Sequence, residues 1–366
     1  MCHIACCVLT LLLLAPARSA AGQFEWKNVP RVVAVGDVHG DYAAFVAVLR
    51  SAGLIDQRDH WIGGKSHLVQ TGDVPDRGPD TRKAMDLLMA LEKEAAKAGG
   101  HVHALIGNHE AMNMYGDLRY TTPGEFAAFV TPESERVRAG YWKQESRKLP
   151  RPNFEDRRKW EDAHPLGWFE QRLQYGPQGT YGAWIRSHNA IVKIDDAIYL
   201  HGGISERYAS MPLKQINEMI AAELGDLATM QRDGPVLSED GPLWDRGMAT
   251  DESPSAAALV DKVLAAYGVK RIVIGHTPTA GAVIPRFGGK VVRIDVGLAA
   301  VYGSHRACLV IEGDSVSVVH RGEKLPLPPG GAEFVSYLKK ALSLETPGSS
   351  LAKYTTEVEA SMAAAK

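Results

Sequence analysis

Five short clusters of polar side chains follow short apolar runs along this chain. They are Gly-Asp-Val-His-Gly at 36–40, Gly-Asp-Val-Pro-Asp-Arg-Gly at 72–78, Gly-Asn-His-Glu at 107–110, His-Gly-Gly at 201–203 and Gly-His-Thr-Pro at 275–278. Each apolar run is rich in β-forming residues, which is typical of a strand whose carboxyl end carries a functional loop. A single Gly-Asp at a strand end is more often a turn than a binding site, so the inference depends on the whole set.

Together, the clusters offer nitrogen and oxygen atoms that suit a pair of divalent metal ions. Two ions about 3.5 to 4 Å apart can activate water and neutralise phosphoryl oxygens. Such a pair needs a bridging carboxylate and several N or O ligands. The clusters supply the candidate ligands Asp37, His39, Asp73, Asn108, His201 and His276. This set predicts hydrolysis of phosphate esters, which is among the slowest reactions without a catalyst.

The five clusters, in this order, resemble the signature of the phosphoprotein phosphatases of the serine/threonine type, which are calcineurin-like metallophosphoesterases. The resemblance runs from about Val32 to Tyr302. It implies two ligand sets that share one carboxylate: Asp37, His39 and Asp73 for the first ion, and Asp73, Asn108, His201 and His276 for the second. The ions expected are two divalent metals, with manganese favoured and iron or zinc as alternatives.

The resemblance also implies roles for three residues next to the ligands. Asp76 orients His109, which acts as the general acid toward the leaving oxygen, and Arg77 binds the phosphate. These roles make physical sense, because a carboxylate fixes the tautomer of a histidine and an arginine fork matches two phosphoryl oxygens. Direct attack by metal-bound hydroxide is expected, with a phosphorylated protein or a small phosphomonoester as substrate.

Three departures from the common pattern narrow the family. Pro278 stands where many metal phosphodiesterases have a second histidine, which indicates the phosphoprotein phosphatases. Pro75 replaces the valine that is usual in eukaryotic members, and their motif Ser-Ala-Pro-Asn-Tyr-Cys is absent. These features, with the segment Gly241-Pro-Leu-Trp-Asp-Arg246, resemble the Shewanella-like branch of these phosphatases. Some of its members prefer phosphotyrosine, so serine, threonine and tyrosine all stay open. Arg246 is a candidate second phosphate-binding arginine, with a surface salt bridge as the alternative.

Two other functions compete with this interpretation. Bis-nucleoside tetraphosphate hydrolases share most of the clusters, although a cytoplasmic dinucleotide fits poorly with an exported protein. A non-catalytic binding scaffold would have lost at least one ligand, and none is lost.

The apolar runs and the segments between them predict an α/β fold. Amphipathic stretches at 42–52 and 80–97 separate the first three strands, whereas the region after 290 is rich in strands. With the resemblance, this predicts a metallophosphoesterase-type four-layer sandwich: two packed mixed β-sheets flanked by helices, with the metal site at the strand carboxyl ends. The catalytic domain should span 30–322 with a helical insertion at about 111–190, which is either a solvated hairpin or a substrate-contacting cap. Residues 323–366 should form a helix and a disordered tail.

The amino terminus predicts export. An apolar run from Ile4 to Ala17 is shorter than the roughly 20 residues that span a bilayer, and Ser19-Ala20-Ala21 fits signal peptidase. Residues 1–21 are therefore a predicted signal peptide, and the location expected is periplasmic or secreted. After the leader only Cys308 remains, which excludes an internal disulfide. The net charge of -2 provides no general attraction to nucleic acid or to a membrane, so no stable membrane association is expected after cleavage.

We predict that the exported chain begins near Gly22, because Ser19 and Ala21 match the two small pockets of signal peptidase. Mass analysis of the exported protein tests this. Exported protein that retains residues 1–15 would contradict the prediction.

Overall fold

The computed structural model of the protein describes residues 22–364, so the predicted signal peptide lies outside the described residues. Twelve strands are present in that part of the chain: β1 (Glu25–Trp26), β2 (Val32–Val35), β3 (His67–Gln70), β4 (His101–Ala104), β5 (Ile191–Ile194), β6 (Ala197–Leu200), β7 (Arg271–Ile274), β8 (Ile284–Arg286), β9 (Val291–Arg293), β10 (Ala307–Glu312), β11 (Ser315–His320) and β12 (Glu323–Pro326). The α-helices of the same part are α1 (Tyr42–Ser51), α2 (Thr81–Lys97), α3 (Asn108–Tyr115), α4 (Pro123–Ala127), α5 (Ser134–Glu145), α6 (Phe154–Ala163), α7 (Trp168–Tyr175), α8 (Thr180–Arg186), α9 (Leu213–Gly225), α10 (Gly247–Thr250), α11 (Pro254–Tyr267), α12 (Gly331–Leu344) and α13 (Ser350–Ala364).

The strands form two six-stranded mixed sheets. One has the order β12-β11-β10-β2-β3-β4 and the other β1-β5-β6-β7-β9-β8. β2, β3 and β4 are parallel to one another, as are β6, β7 and β9, while β10 runs antiparallel to β2. Apolar side chains of both sheets, such as Val69 and Val273, share one buried cluster, so the sheets pack face to face. The predicted fold class is confirmed.

The helices between the first strands cover one face of the first sheet. Helix α1 begins after Asp41, whose side chain accepts a hydrogen bond from the Ala44 amide at 3.0 Å. This is an N-cap, the role that helix starts favour for aspartate. Phe45 and Leu49 point from the helix into the core and are fully buried. The cap and the buried side chains together fix the loop that precedes the helix, which is the first polar cluster.

The segment between the third and fourth clusters is helical, and its middle part is only thinly packed. In the hairpin of α5 and α6, Ser134 is buried in α5 and no residue of α6 is buried. Aromatic contacts hold the hairpin: the Trp142 and Trp160 rings of its two helices lie 5.6 Å apart, and Tyr141 of α5 stacks on Phe169 of α7 at 4.0 Å. Within residues 22–364, no helix has the length and apolar character needed to cross a bilayer.

The carboxyl-terminal region differs from the predicted single helix and disordered tail. Helix α13 follows α12 and packs against it, with Leu351 fully buried and Tyr354 half-buried against the core between the sheets. The apolar residues of α13 are few and are mixed with small ones, so its pattern did not distinguish it from a flexible tail.

A buried carboxylate joins this region to the rest of the fold. Glu345, directly after α12, accepts hydrogen bonds from His305 at 3.0 Å, from His320 at 2.9 Å and from two nitrogens of Arg321, each at 2.9 Å. The Arg321 guanidinium also donates to the Ser304 carbonyl at 3.0 Å. Burial alone would raise the pKa of Glu345, but the hydrogen bonds from its three partners outweigh burial and hold that pKa well below its usual 4.5.

We predict that Glu345→Ala lowers the free energy of unfolding by about 3 to 5 kcal/mol, because it leaves the Arg321 guanidinium and two buried imidazoles without their hydrogen-bond acceptor. The lowered pKa means that the stabilisation is complete above pH 4.5 and is lost as the pH falls below it. Urea unfolding between pH 3 and pH 7 measures this, with the exposed Glu357→Ala as the matched control. An equal effect of both substitutions would contradict the prediction.

Candidate metal centre

The five clusters follow the carboxyl ends of β2, β3 and β4 in one sheet and of β6 and β7 in the other, and they meet at one end of the two packed sheets. All ten residues singled out from the sequence are brought together there: Asp37, His39, Asp73, Asp76, Arg77, Asn108, His109, His201, Arg246 and His276. The six candidate metal ligands are all buried. Their polar atoms therefore need partners other than bulk water.

The loops hold several of these residues in a left-handed backbone conformation. His39, Asp73, Asp76, Arg77 and His276 have φ values of 47°, 59°, 73°, 70° and 63°. This region is unfavourable for residues with a Cβ, and such residues collect at functional sites. The loops therefore hold these side chains in place at the cost of an unfavourable backbone conformation.

Two glycines allow the loops to approach one another. Gly72 has φ of 96°, and a Cβ there would lie 2.5 Å from the Gly107 nitrogen. A Cβ at Gly275 would lie 2.6 Å from an oxygen of Asp37 and 2.8 Å from the hydroxyl of Thr71. Any side chain at these positions would separate the clusters.

Four lone pairs converge at one side of the centre. His201 Nδ1 lies 2.9 Å from the Thr71 carbonyl, so that nitrogen donates and Nε2 keeps its lone pair. His276 Nε2 likewise faces the Trp244 carbonyl at 3.1 Å, which leaves Nδ1 without a proton. His201 Nε2 then lies 3.0 Å from His276 Nδ1, 2.9 Å from Asn108 Oδ1 and 3.2 Å from Asp73 Oδ1.

These four atoms cannot satisfy one another, because with this proton assignment and the Asn108 oxygen facing inward none of them carries a hydrogen. A cation among them satisfies all four at once. The residues present therefore fit a divalent metal ion at this point.

A second group of acceptors lies on the other side of Asp73. His39 Nδ1 faces the Pro75 carbonyl at 3.1 Å, which leaves Nε2 as the lone pair. That nitrogen lies 3.9 Å from Asp37 Oδ2 and 3.8 Å from Asp73 Oδ2. Asp73 thus presents one oxygen to each group, which is the geometry of a carboxylate that bridges two ions.

The charges of the site also fit bound cations. Burial, followed by the neighbouring carboxylates of Asp295 and Asp73, raises the pKa of Asp37 well above its usual range. Burial lowers the pKa of His276 to about 2 and that of His39 to about 4. Crowded carboxylates beside neutral imidazoles are what metal ligation requires, because the ions supply the missing positive charge.

His109 differs from the other histidines of the centre. Its Nδ1 donates to Asp76 at 2.6 Å, and its Nε2 lies 3.8 Å from Asp73 Oδ2. Burial lowers the pKa of His109, but the charge of Asp73 and the hydrogen bond to Asp76 outweigh it, so the pKa is raised. Asn113 and Thr121 also donate to Asp76, at 3.1 and 2.8 Å, and fix its position. This imidazole can therefore carry a proton more readily than His39 and His276, whose pKa values are lowered.

Two buried glutamates that sequence reasoning left without a role organise the loops. Glu110 accepts from the amides of Asp73, Val74 and Gly107, each at 2.8 Å. Glu125 accepts from the Asp76 amide at 2.8 Å. Burial and nearby carboxylates raise the pKa of each glutamate to about 7. Glu110 belongs to the third cluster and could have been found there, whereas Glu125 lies in the insertion and carries no motif.

The two predicted arginines lie at the rim of the centre. The Arg77 guanidinium lies over the Tyr120 ring at 4.0 Å and 5.6 Å from the Tyr302 ring centre. Arg246 donates to the His276 carbonyl at 2.9 Å. Among the described residues, Arg246 forms no ion pair with a carboxylate, so the surface salt bridge considered as its alternative role is not found. Neither tyrosine was predicted to belong to the site, because neither lies in one of the five clusters and each contacts the site only in the folded chain.

Comparison with known proteins agrees with this geometry. The family described as calcineurin-like phosphoesterase matches residues 30–280. An uncharacterised protein of Schizosaccharomyces pombe is 32% identical over 321 residues, which cover 84% of this chain and 86% of the relative. Shewanella-like protein phosphatase 2 of Arabidopsis thaliana is 28% identical over 293 residues, covering 76% of this chain and 73% of the relative.

A similar solved structure is the cold-active protein-tyrosine phosphatase of a psychrophilic Shewanella species. It has a TM-score of 0.66 and 27% identity, and the match covers 86% of this chain and 85% of that one. The resemblance to the Shewanella-like phosphatases, inferred above from the departures from the common pattern and from the segment at 241–246, is thereby confirmed.

We predict that Asp73→Asn lowers the content of bound metal below one ion per chain, because both acceptor groups lose the same shared carboxylate. Elemental analysis after reconstitution with Mn²⁺ measures this. Asp41→Asn, at the helix cap, is the control and should retain both ions. Two ions retained by Asp73→Asn would refute the bridging arrangement.

Proposed function

The chain belongs to the calcineurin-like phosphoesterase family, and on that premise we propose that it hydrolyses phosphate monoesters of phosphoproteins with the help of two divalent metal ions. It is a metallophosphoesterase with phosphatase relatives. The observation that carries the proposal is the pair of acceptor groups that share Asp73, beside a histidine built to hold a proton.

The ligands and their neighbours divide the work of the reaction. When bound, the ions lower the pKa of water and neutralise phosphoryl charge. His109 Nε2 holds a proton for the leaving oxygen, and Asp76 keeps the ring in the required orientation. Arg77 and Arg246, at opposite parts of the rim, offer forked donors to phosphoryl oxygens. Manganese is the ion that we propose for both positions.

The surroundings of Arg77 favour an aromatic leaving group. Tyr120 and Tyr302 both lie against its guanidinium, and their rings are 5.2 and 5.5 Å from those of His109 and His39. A phosphorylated tyrosine held by Arg77 would enter between apolar ring faces, which contribute stacking energy that a serine side chain cannot gain. The solved Shewanella structure is named as a protein tyrosine phosphatase, which supports the same choice.

A substrate panel tests the proposal. The reconstituted enzyme is offered peptides that carry phosphotyrosine, phosphoserine or phosphothreonine, together with p-nitrophenyl phosphate and diadenosine tetraphosphate. We expect the highest kcat/KM among the peptides for phosphotyrosine. Preferential cleavage of the dinucleotide would replace this proposal with a bis-nucleoside tetraphosphate hydrolase.

We place the activity in the periplasm or outside the cell, on the strength of the amino-terminal sequence.

We predict that His109→Asn retains both ions but loses more activity on phosphoserine than on p-nitrophenyl phosphate. The reason is that an alkoxide needs a proton to leave, whereas p-nitrophenolate does not, and a general acid contributes about 10² to 10⁴-fold. Asp76→Asn should show the same trend in milder form. Metal content and kcat on each substrate are measured together. Equal losses on both substrates would assign His109 to phosphate positioning instead of proton donation.

A further inference from the structure

The connection between α5 and α6, residues 146–154, is here called the hairpin tip, and it exposes apolar side chains. Phe154 is 80% exposed and Leu149 is 38% exposed. Five of the seven exposed large apolar residues in the described chain lie between 130 and 173: Val130, Tyr141, Leu149, Phe154 and Leu173. Single exposed apolar residues are normal on a surface, so the inference depends on the charges that accompany Leu149 and Phe154 in the tip.

The hairpin tip is also basic. It contains Arg147, Lys148 and Arg151 and no Asp or Glu. Lys148 pairs with Glu145 at 2.7 Å, while Arg147 and Arg151 have no ion pair within 4 Å in the described part of the chain. The wider hairpin, residues 134–163, has nine Lys or Arg and six Asp or Glu, so it is positive although the whole chain carries -2.

The carboxylates next to the tip are already engaged. Glu155 accepts from the Arg158 guanidinium at 2.8 and 3.1 Å. Asp156 accepts from the Asn153 amide at 3.1 Å as part of the helix cap. Within the described residues, Arg147 and Arg151 therefore stay exposed and without a carboxylate, and a partner with negative charge is the complement that they lack.

The exposed apolar side chains distinguish between two kinds of anionic partner. An acidic peptide can be held by a groove, by a sheet edge or by a cluster of arginines. Contact with arginines alone would leave Phe154, which is 80% exposed at the end of the connection between two thinly packed helices, without an apolar partner. Apolar side chains flanked by cations suit the boundary between lipid headgroups and acyl chains, where the cations meet phosphates.

We propose that the hairpin tip binds the surface of an anionic lipid bilayer. Phe154 and Leu149 enter the interface, and Arg147, Lys148 and Arg151 contact the lipid phosphates. The expectation of no membrane association rested on the net charge of the whole chain, which averages over this local concentration. Peripheral binding of this kind needs no spanning helix and is independent of the metal centre.

Vesicle sedimentation of the full chain tests the proposal. The wild type should partition at least about tenfold more strongly onto vesicles with 30% phosphatidylglycerol than onto pure phosphatidylcholine, and the preference should fall with added salt. The leader contains His3 and Arg18 beside its apolar run, but it is identical in all variants, so the difference between the wild type and the tip variants reports on the tip. Leu149→Ser with Phe154→Ser should lower partitioning about tenfold.

Charge variants complete the experiment. Changing Arg147, Lys148 and Arg151 to Gln should abolish the preference for anionic vesicles. Matched controls are Ile62→Ser for the apolar pair and Lys214, Lys262 and Lys353 to Gln for the charges, all exposed and far from the tip in sequence. All variants should hydrolyse p-nitrophenyl phosphate like the wild type, which shows that they are folded.

Three outcomes would overturn the proposal. The first is tip variants that bind vesicles as well as the wild type. The second is unchanged vesicle binding with slower turnover of an acidic phosphopeptide only, which would identify a peptide-binding surface. The third is a dimer of the wild type that Phe154→Ser dissolves, which would identify contact with a second copy of the chain.

Discussion

Atoms that repel one another meet at the carboxyl ends of five strands, and the remainder of the fold serves to keep them there. The oxygens of Asp73 face lone pairs on both sides, and Asp37 adds a further carboxylate. Backbone in the left-handed region costs of order 1 kcal/mol or more at each residue with a Cβ. Two face-to-face sheets, held by a continuous apolar layer, supply the rigidity that offsets this cost until cations arrive.

The sequence was sufficient for the parts of the site that chemistry restricts to a few residue types. Metal ligands of this kind are His, Asn or carboxylate, and close approach of their loops demands glycine, so the clusters can be recognised from the sequence alone. The strands beneath them follow from short apolar runs.

The parts of the site and fold that the sequence did not predict depend on contacts between residues far apart in the chain. Tyr120 and Glu125 come from the insertion, and Tyr302 comes from a loop far beyond the last cluster. Tyrosine and glutamate serve many purposes, so neither residue type signals a role before the chain is folded. Helix α13 was missed for a similar reason, because Leu351 becomes informative only when the surface that covers it is known.

The periphery of the fold also shapes the rim of the site. Glu345 accepts a hydrogen bond from Arg321, which in turn donates to the carbonyl of Ser304, two residues after Tyr302. On the opposite side, Thr121 and Glu125 fix Asp76 and its amide. A substitution in either segment can therefore alter which alcohol the site accepts, although neither segment contains a proposed metal ligand.

The distribution of the ligands along the chain decides when metal is acquired. Asp37 and His39 are close in sequence, but the convergent group on the other side needs Asn108, His201 and His276 as well as Asp73. No short stretch of nascent or unfolded chain offers that group, so an ion held there as proposed would be captured after folding. Its identity would then follow the ion supply of the compartment where folding is completed, since N and O ligands of this kind discriminate weakly among Mn, Fe and Zn.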